Sequence, residues 1–186
     1  MSWQTHINNI SAKANRMLGL IRRNLRGCSR NLRQQAYLTL VRPHLEYCSP
    51  IWNPHTKKNI TKIESTQRQA ARFVLNTYSR QASVSKLITQ LQWDSLERRR
   101  QAASLCLMYK IHNNLVAINP TDYASPMAPS SRRSYHPDKY QIITSRLQIH
   151  KFSFFPRTVI WWNALPEHII ASPSIEAFRG AVAAHN

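Results

Sequence analysis

Residues 3–26 read WQTHINNISAKANRMLGLIRRNLR. At about 100° per residue, Ile7, Ile10, Ala14, Met17, Leu18, Ile21 and Leu25 collect on one side, while Lys13, Arg16, Arg22, Arg23 and Arg26 fall on the other. Gly27 stands where a C-terminal stop is expected. The stretch therefore predicts an amphipathic helix with a purely cationic back; no acid occurs before Glu46.

The same arrangement returns between Lys57 and about Asn76. Ile60, Ile63, Ala70, Ala71 and Val74 form a buried stripe there, and Lys57, Lys58, Lys62, Arg68 and Arg72 face away. Between the two lies a helix from about Ser29 to Arg42, which Pro43 is expected to interrupt, and LEYCSPIWNP, read as a Pro-bounded turn carrying Tyr47 and Trp52. SVSKLITQLQW gives a short helix. D-S-L-E at 94–97 resembles a capping box opening a helix through RRRQAASLCLMYKIHNN. Residues 119–138 hold four prolines and four serines without an apolar period, the pattern of a loop or linker. QIITSRLQIH is read as extended, and a last helix is expected after Pro173.

The fold class expected from this is mainly all-α: a helical body over 1–118, a linker over 119–140 and a short aromatic, helical extension over 141–186. The extension holds FSFFPRTVIWWNALP at 152–166. Pro156 suits the first turn of a helix, on which Phe155, Val159 and Trp162 share a side. Single-strand binders spread their aromatics along a basic groove, whereas this run has only Lys151 and Arg157. Its reading is packing: Phe155 and Trp162 dock on the helical body, Arg157 is anchored at the edge by a carboxylate or a helix end, and Leu165 and Pro166 close the turn after Asn163.

Charge carries the functional reading. There are 26 Lys and Arg against 8 Asp and Glu, a net +18 in 186 residues of which 42% are hydrophobic. A magnitude of roughly 2–8 keeps a small domain soluble, so the excess points to a permanently anionic partner. Solvated helix faces normally interleave Glu with Lys or Arg at i,i+4, and here the negative partners are missing. Phosphate-backbone contact is expected from Lys13, Arg16, Arg22, Arg23, Arg26, Lys57, Lys58, Lys62, Arg68 and Arg72. Arg98, Arg99 and Arg100 are weaker candidates, because Glu97 offsets part of their charge. No major-groove motif is visible, which argues against sequence-specific readout. An anionic membrane surface is the second partner class, and the acid-free, Arg-bearing first residues also fit a mitochondrial transit peptide.

Catalysis is not indicated. Two-metal phosphoryl chemistry needs converging carboxylates, and Asp94, Asp122 and Asp138 stand alone with no D-D or D-x-D pair. Nucleotide-binding glycine loops, G-x-S-x-G and H-E-x-x-H are absent. His44, Cys48 and His55 fall short of four ligands at zinc-finger spacing. Cys28, Cys48 and Cys106 are odd in number and lack C-x-x-C spacing, so a reducing compartment, nucleus or cytoplasm, is expected.

Taken in order, W-x-x-H-I-x-x-I at 3–10, K-A-N-R-x-L-G at 13–19, R-R-N-L at 22–25, L-V-R-P-x-L-E-Y-x-S-P-I-W at 40–52 and Q-R-Q-A-A-R-F-V at 67–74 resemble the region following the palm of reverse transcriptases from LINE-type, non-LTR retrotransposons of the Jockey and chicken-repeat groups. S-F-F-P-R-T at 153–158, W-N-x-L-P at 162–166 and P-S-I-E-A-F at 173–178 look like that family's carboxyl end. Trp161 departs from it, since a polar residue more often precedes W-N. The resemblance implies a thumb that grips template–primer duplex, followed by a C-terminal extension. The family's palm, with F/Y-x-D-D and its Mg²⁺, lies upstream of these blocks. The implied chain is thus a polymerase piece without cofactor of its own, partnered by RNA or DNA backbone and by the upstream polymerase domain, with no membrane. The rival class is a stand-alone basic nucleic-acid-binding protein, ribosomal or chromatin-like.

Overall fold

The computed structural model describes residues 3–79, 81–127 and 138–185. It is all-α: α1 (Gln4–Asn24), α2 (Arg30–Ala36), a π-turn (Tyr37–Val41), α3 (Arg42–Glu46), α4 (Ser49–Trp52), α5 (Lys57–Val74), α6 (Val84–Gln90), α7 (Leu96–His112), a 3₁₀ turn (Pro120–Asp122), α8 (Gln148–Lys151), α9 (Phe154–Asn163), α10 (Glu167–Ile170) and α11 (Ile175–His185). The chain divides into two compact units, Met1–Arg100 and Gln101–Asn186.

In the first unit, α1 packs on α5, α3 and the π-turn. Ile7, Ala14, Leu18 and Ile21 of α1 meet Ile63, Ala70, Ala71 and Val74 of α5 in one core with Tyr37, Val41 and Leu45. Each fully buried Ile or Leu contributes about 1.5–3 kcal/mol relative to exposure, so both amphipathic faces are stabilised by the same contact. Pro43 does not end the second helix. Its ring excludes the carbonyl four residues back and it offers no N–H; the helix widens instead, with the Arg42 N–H reaching the Tyr37 carbonyl, and continues as α3 with Pro43 in its first turn. LEYCSPIWNP is likewise more helical than a turn. Cys48 takes a left-handed φ of 50° and α4 follows it, burying Trp52, whose Nε1 donates to the Tyr47 carbonyl at 2.8 Å.

The second unit is built on aromatics. Leu105, Met108 and Tyr109 pack with Val159, Trp162, Leu165, Ile169, Ile170, Phe178 and Val182. Tyr109 stacks on Phe178 at 4.6 Å, and Trp162 lies 5.8 Å from the same ring. The division falls inside α7, whereas the sequence placed a boundary after residue 118. One uninterrupted helix supplies Leu96 to the first core and Leu105 to the second, and no proline or glycine marks the change. Of the linker expected over 119–140, residues 128–137 lie outside the described residues. Its flanks pair: Pro126 and Tyr140 form an antiparallel bridge, with Met127 N donating to Lys139 O and Gln141 N to Ser125 O, each at 2.9 Å. QIITSRLQIH forms no strand and ends in α8.

Candidate nucleic-acid interface

The expected cationic residues sit mostly on the surface. Lys13, Arg16, Arg22 and Arg23 are exposed opposite the buried face of α1, with Arg26 exposed in the turn after it, and Lys57, Lys58, Lys62 and Arg68 opposite the buried face of α5; Arg72 is half-buried. Along the line where the two helices meet, Lys62 Nζ donates to Asn8 Oδ1 at 2.6 Å and Thr66 Oγ1 to Asn15 Oδ1 at 2.9 Å. Helical geometry places Asn8, Asn15 and Arg22 within about 40° of one line on α1. Arg22 therefore flanks α5, as Lys58 and Lys62 flank α1, and these three border one polar strip; Arg26 lies in the turn just past the end of α1. Arg16 and Arg23 lie further outward. Lys13 is turned about 160° from the line, and Lys57 and Arg68 belong to the opposite flank of α5.

Electrostatics isolate this strip from negative charge. The first unit holds 18 Lys and Arg but only four acids, an excess of 14; the carboxylates of Glu46, Glu64 and Asp94 are engaged near the start of α7, where the exposed Glu97 also lies. Arg99 donates to Glu46 through Nε to Oε1 and through Nη2 to Oε2 at 3.1 Å, and Arg42 lies 3.8 Å from the same carboxylate. Asp94 is 3.5 Å from Arg98. Glu64, buried on α5, accepts from the Glu97 N–H at 2.8 Å. Arg100 is fully buried with Nε on Asn53 Oδ1 at 3.1 Å; burial lowers its pKa, opposed by Glu64, Glu97 and Glu46, whereas the hydrogen bond to Glu46 raises that of Arg99. The run Arg98–Arg100 is thus built into the fold. Lys13, Arg16, Arg22, Arg23, Arg26, Lys57, Lys58, Lys62 and Arg68 make no ion pair among the described residues.

Three other arginines bind helix or loop carbonyls. Arg33 donates to Phe73 O at 2.8 Å, Arg30 to Gln90 O at 3.3 Å, and Arg72 to Ser79 O at 3.0 Å and Ala82 O at 3.5 Å. Arg72, read as a backbone contact, is a loop anchor. Sequence reasoning missed Tyr78, exposed with the Arg22 guanidinium 5.7 Å from its ring centre; no periodicity singles it out, because it lies past the end of α5.

The aromatic run packs within the second unit. Val159 and Trp162 are fully buried, and Phe155 stacks on Tyr123 at 4.7 Å with ring planes 3° apart. Arg157 is buried with its guanidinium 5.2 Å from the Trp161 ring centre, which gives the aromatic at 161 a task. Trp162 Nε1 donates to Asp138 O at 2.8 Å. Asn163 accepts from Tyr140 N at 3.1 Å and donates to Tyr140 O at 2.7 Å, so its amide imitates a neighbouring strand. Leu165 is buried, and Pro166 precedes α10.

Compared with protein-family models, curated proteins and solved structures, the chain matches none. Among the described residues, no three His, Cys, Asp or Glu side chains converge as metal ligands would. No described helix is long and apolar enough to cross a membrane.

Proposed function

We propose that this chain grips the sugar–phosphate backbone of a nucleic-acid duplex without reading its sequence, as the thumb and carboxyl extension of a LINE-type reverse transcriptase whose catalytic palm is formed by other residues. The observation that carries the reading is the distribution of charge. The four acids of the first unit gather near the start of α7, three of them with engaged carboxylates, while Arg22, Lys58 and Lys62 border one strip that, among the described residues, lacks a carboxylate. Backbone binding of this kind positions a duplex and carries no base information. The ordered motif blocks described above support the assignment to a thumb.

Binding should be steeply salt-dependent. With about five to eight phosphates neutralised, duplex affinity falls by roughly 10³ or more between 50 and 200 mM salt. Replacing Arg22 and Arg26 together by Glu lowers affinity for every sequence alike and reduces the log–log salt slope by about two. A flat salt response, or selective loss for one sequence, would refute the reading. The purified chain is also expected to leave a primed RNA or DNA template unextended; template-dependent nucleotide incorporation above a heat-killed control contradicts that.

A further inference from the structure

We infer that Tyr78 is a stacking platform for an unpaired nucleobase, placed at the end of the cationic strip where a duplex gives way to a single strand. The inference rests on the backbone-grip reading and adds to it a ligand class, the exposed face of a base.

Tyr78 is 52% exposed, yet its backbone is held on both sides. α5 ends in a Schellman motif. Asn76 adopts a left-handed φ of 51°, Asn76 N donates to Phe73 O at 3.2 Å, and Thr77 N donates to Arg72 O at 2.9 Å. The Thr77 hydroxyl closes on Leu75 O at 3.0 Å. On the far side, Arg72 reaches from the last turn of α5 to the carbonyls of Ser79 and Ala82, and Ser79 Oγ accepts from Gln81 N at 3.2 Å. A residue presented between two such anchors has little backbone freedom left to lose on binding. Among the described residues of the first unit, its ring is the exposed aromatic with an arginine of the strip set against it, Arg22 at 5.7 Å.

That pairing has chemical consequences. An aromatic ring offers any base a face to stack on, independent of sequence, and an adjacent guanidinium supplies charge to the phosphate that such a base carries. Paired bases inside a duplex are already stacked on both faces and cannot use the ring. A terminal or unpaired base can. The ligand that fits both the strip and Tyr78 is accordingly a duplex bearing a single-stranded overhang, and the ring itself does not distinguish RNA from DNA.

The test compares the full chain on a blunt duplex and on the same duplex carrying a short overhang with 2-aminopurine at its first unpaired position, in separate DNA and RNA arms. Wild type is expected to bind the overhang substrate more tightly and to quench the probe. Tyr78→Ala should lose about 5- to 150-fold in affinity for the overhang substrate, the range for removing one base–aromatic stack, with blunt-duplex affinity and thermal midpoint unchanged. Tyr78→Phe should retain both quenching and affinity. Tyr78→Ala acting equally on blunt and overhang substrates, or on neither, overturns the platform, and leaves the backbone grip standing if wild type still binds blunt duplex with a steep salt slope. Wild type that binds no nucleic acid overturns both.

Discussion

The two units differ in what they do with arginine. In the first, 18 basic residues face four acids that gather near the start of α7, and the exposed faces of α1 and α5 remain cationic. In the second, eight basic residues face four acids, and Arg157 is drawn beside an indole in a core of aromatic rings. On the proposed function the difference separates two tasks: uncompensated exposed charge for an external anion, and buried aromatic area for stability. Variants in one unit should leave the other's property intact.

The largest effect expected from breaking that separation is at Trp162. Its side chain is fully buried against Phe178 and also holds the Asp138 carbonyl. Trp162→Ala should cost about 3–5 kcal/mol, measured by chemical denaturation, with duplex affinity per folded molecule unchanged. A variant that unfolds normally but no longer holds single strands would assign the aromatic run to binding. Next comes Asn163→Ala, which leaves both polar groups of the Tyr140 backbone without their partner. Each such loss costs about 1–3 kcal/mol where the group is buried; Tyr140 is buried, so a total of about 2 kcal/mol or more is expected, and restoration by Asn163→Asp should be incomplete, since a carboxylate cannot donate to Tyr140 O.

Much of the fold was legible because its signal is local. The stripes on α1 and α5 repeat every three or four residues, so their faces follow from spacing alone, and Pro156 and Pro173 marked helix starts that the structure places nearby. The inner flank of α5 was not legible. Glu64, Thr66 and Gln67 are buried there, because their partners are remote: the Glu97 N–H, Asn15, and for Gln67 the Tyr37 hydroxyl at 3.0 Å and the Asp94 carbonyl at 2.8 Å. Burial accordingly holds the Tyr37 phenol well above its usual range. Distance in sequence hid Arg98–Arg100 in the same way. Read locally they are a basic run; Glu46 and Asn53, about 50 residues earlier, make them structural. Of the candidate strip, the cationic faces were visible in the sequence, but the seam joining them was not.

The start of α7 allows a smaller test. The sequence pointed to Asp94 as the cap, yet Ser95 Oγ accepts from the Arg98 N–H at 3.1 Å while Asp94 lies beside the Arg98 guanidinium. Ser95→Ala should therefore lower stability by about 1 kcal/mol, whereas Asp94→Asn, which removes only a solvent-screened pair, should cost less than that. The reverse order in urea denaturation would restore Asp94 as the cap.

The smallest effect separates the units by pH. His112 in the second unit has Nδ1 2.8 Å from the Tyr140 hydroxyl and Nε2 3.6 Å from Asp138 Oδ1, with the Trp162 ring at 5.2 Å. Burial lowers the His112 pKa from 6.5, and the Asp138 carboxylate only partly opposes this. Burial also pushes the Tyr140 phenol up to about 12, with Asp138 adding to the rise. Tyr140 therefore keeps its proton near neutrality and donates it to Nδ1, which leaves the ring proton of neutral His112 on Nε2, toward Asp138. Below about pH 6.5 the unfolded chain binds a proton at His112 that the folded chain binds less readily, so stability is present above that value and declines as pH falls. On the alkaline side the folded chain holds the Tyr140 proton after the unfolded chain has released it, and stability declines as pH rises from the ordinary phenol value of 10.0 through about 12. Chemical denaturation of the full chain between about pH 7 and pH 5 should show an acid decline in wild type that is reduced in His112→Gln. An acid decline of the same size in both proteins would move its origin away from His112 and the contacts it makes with Tyr140 and Asp138.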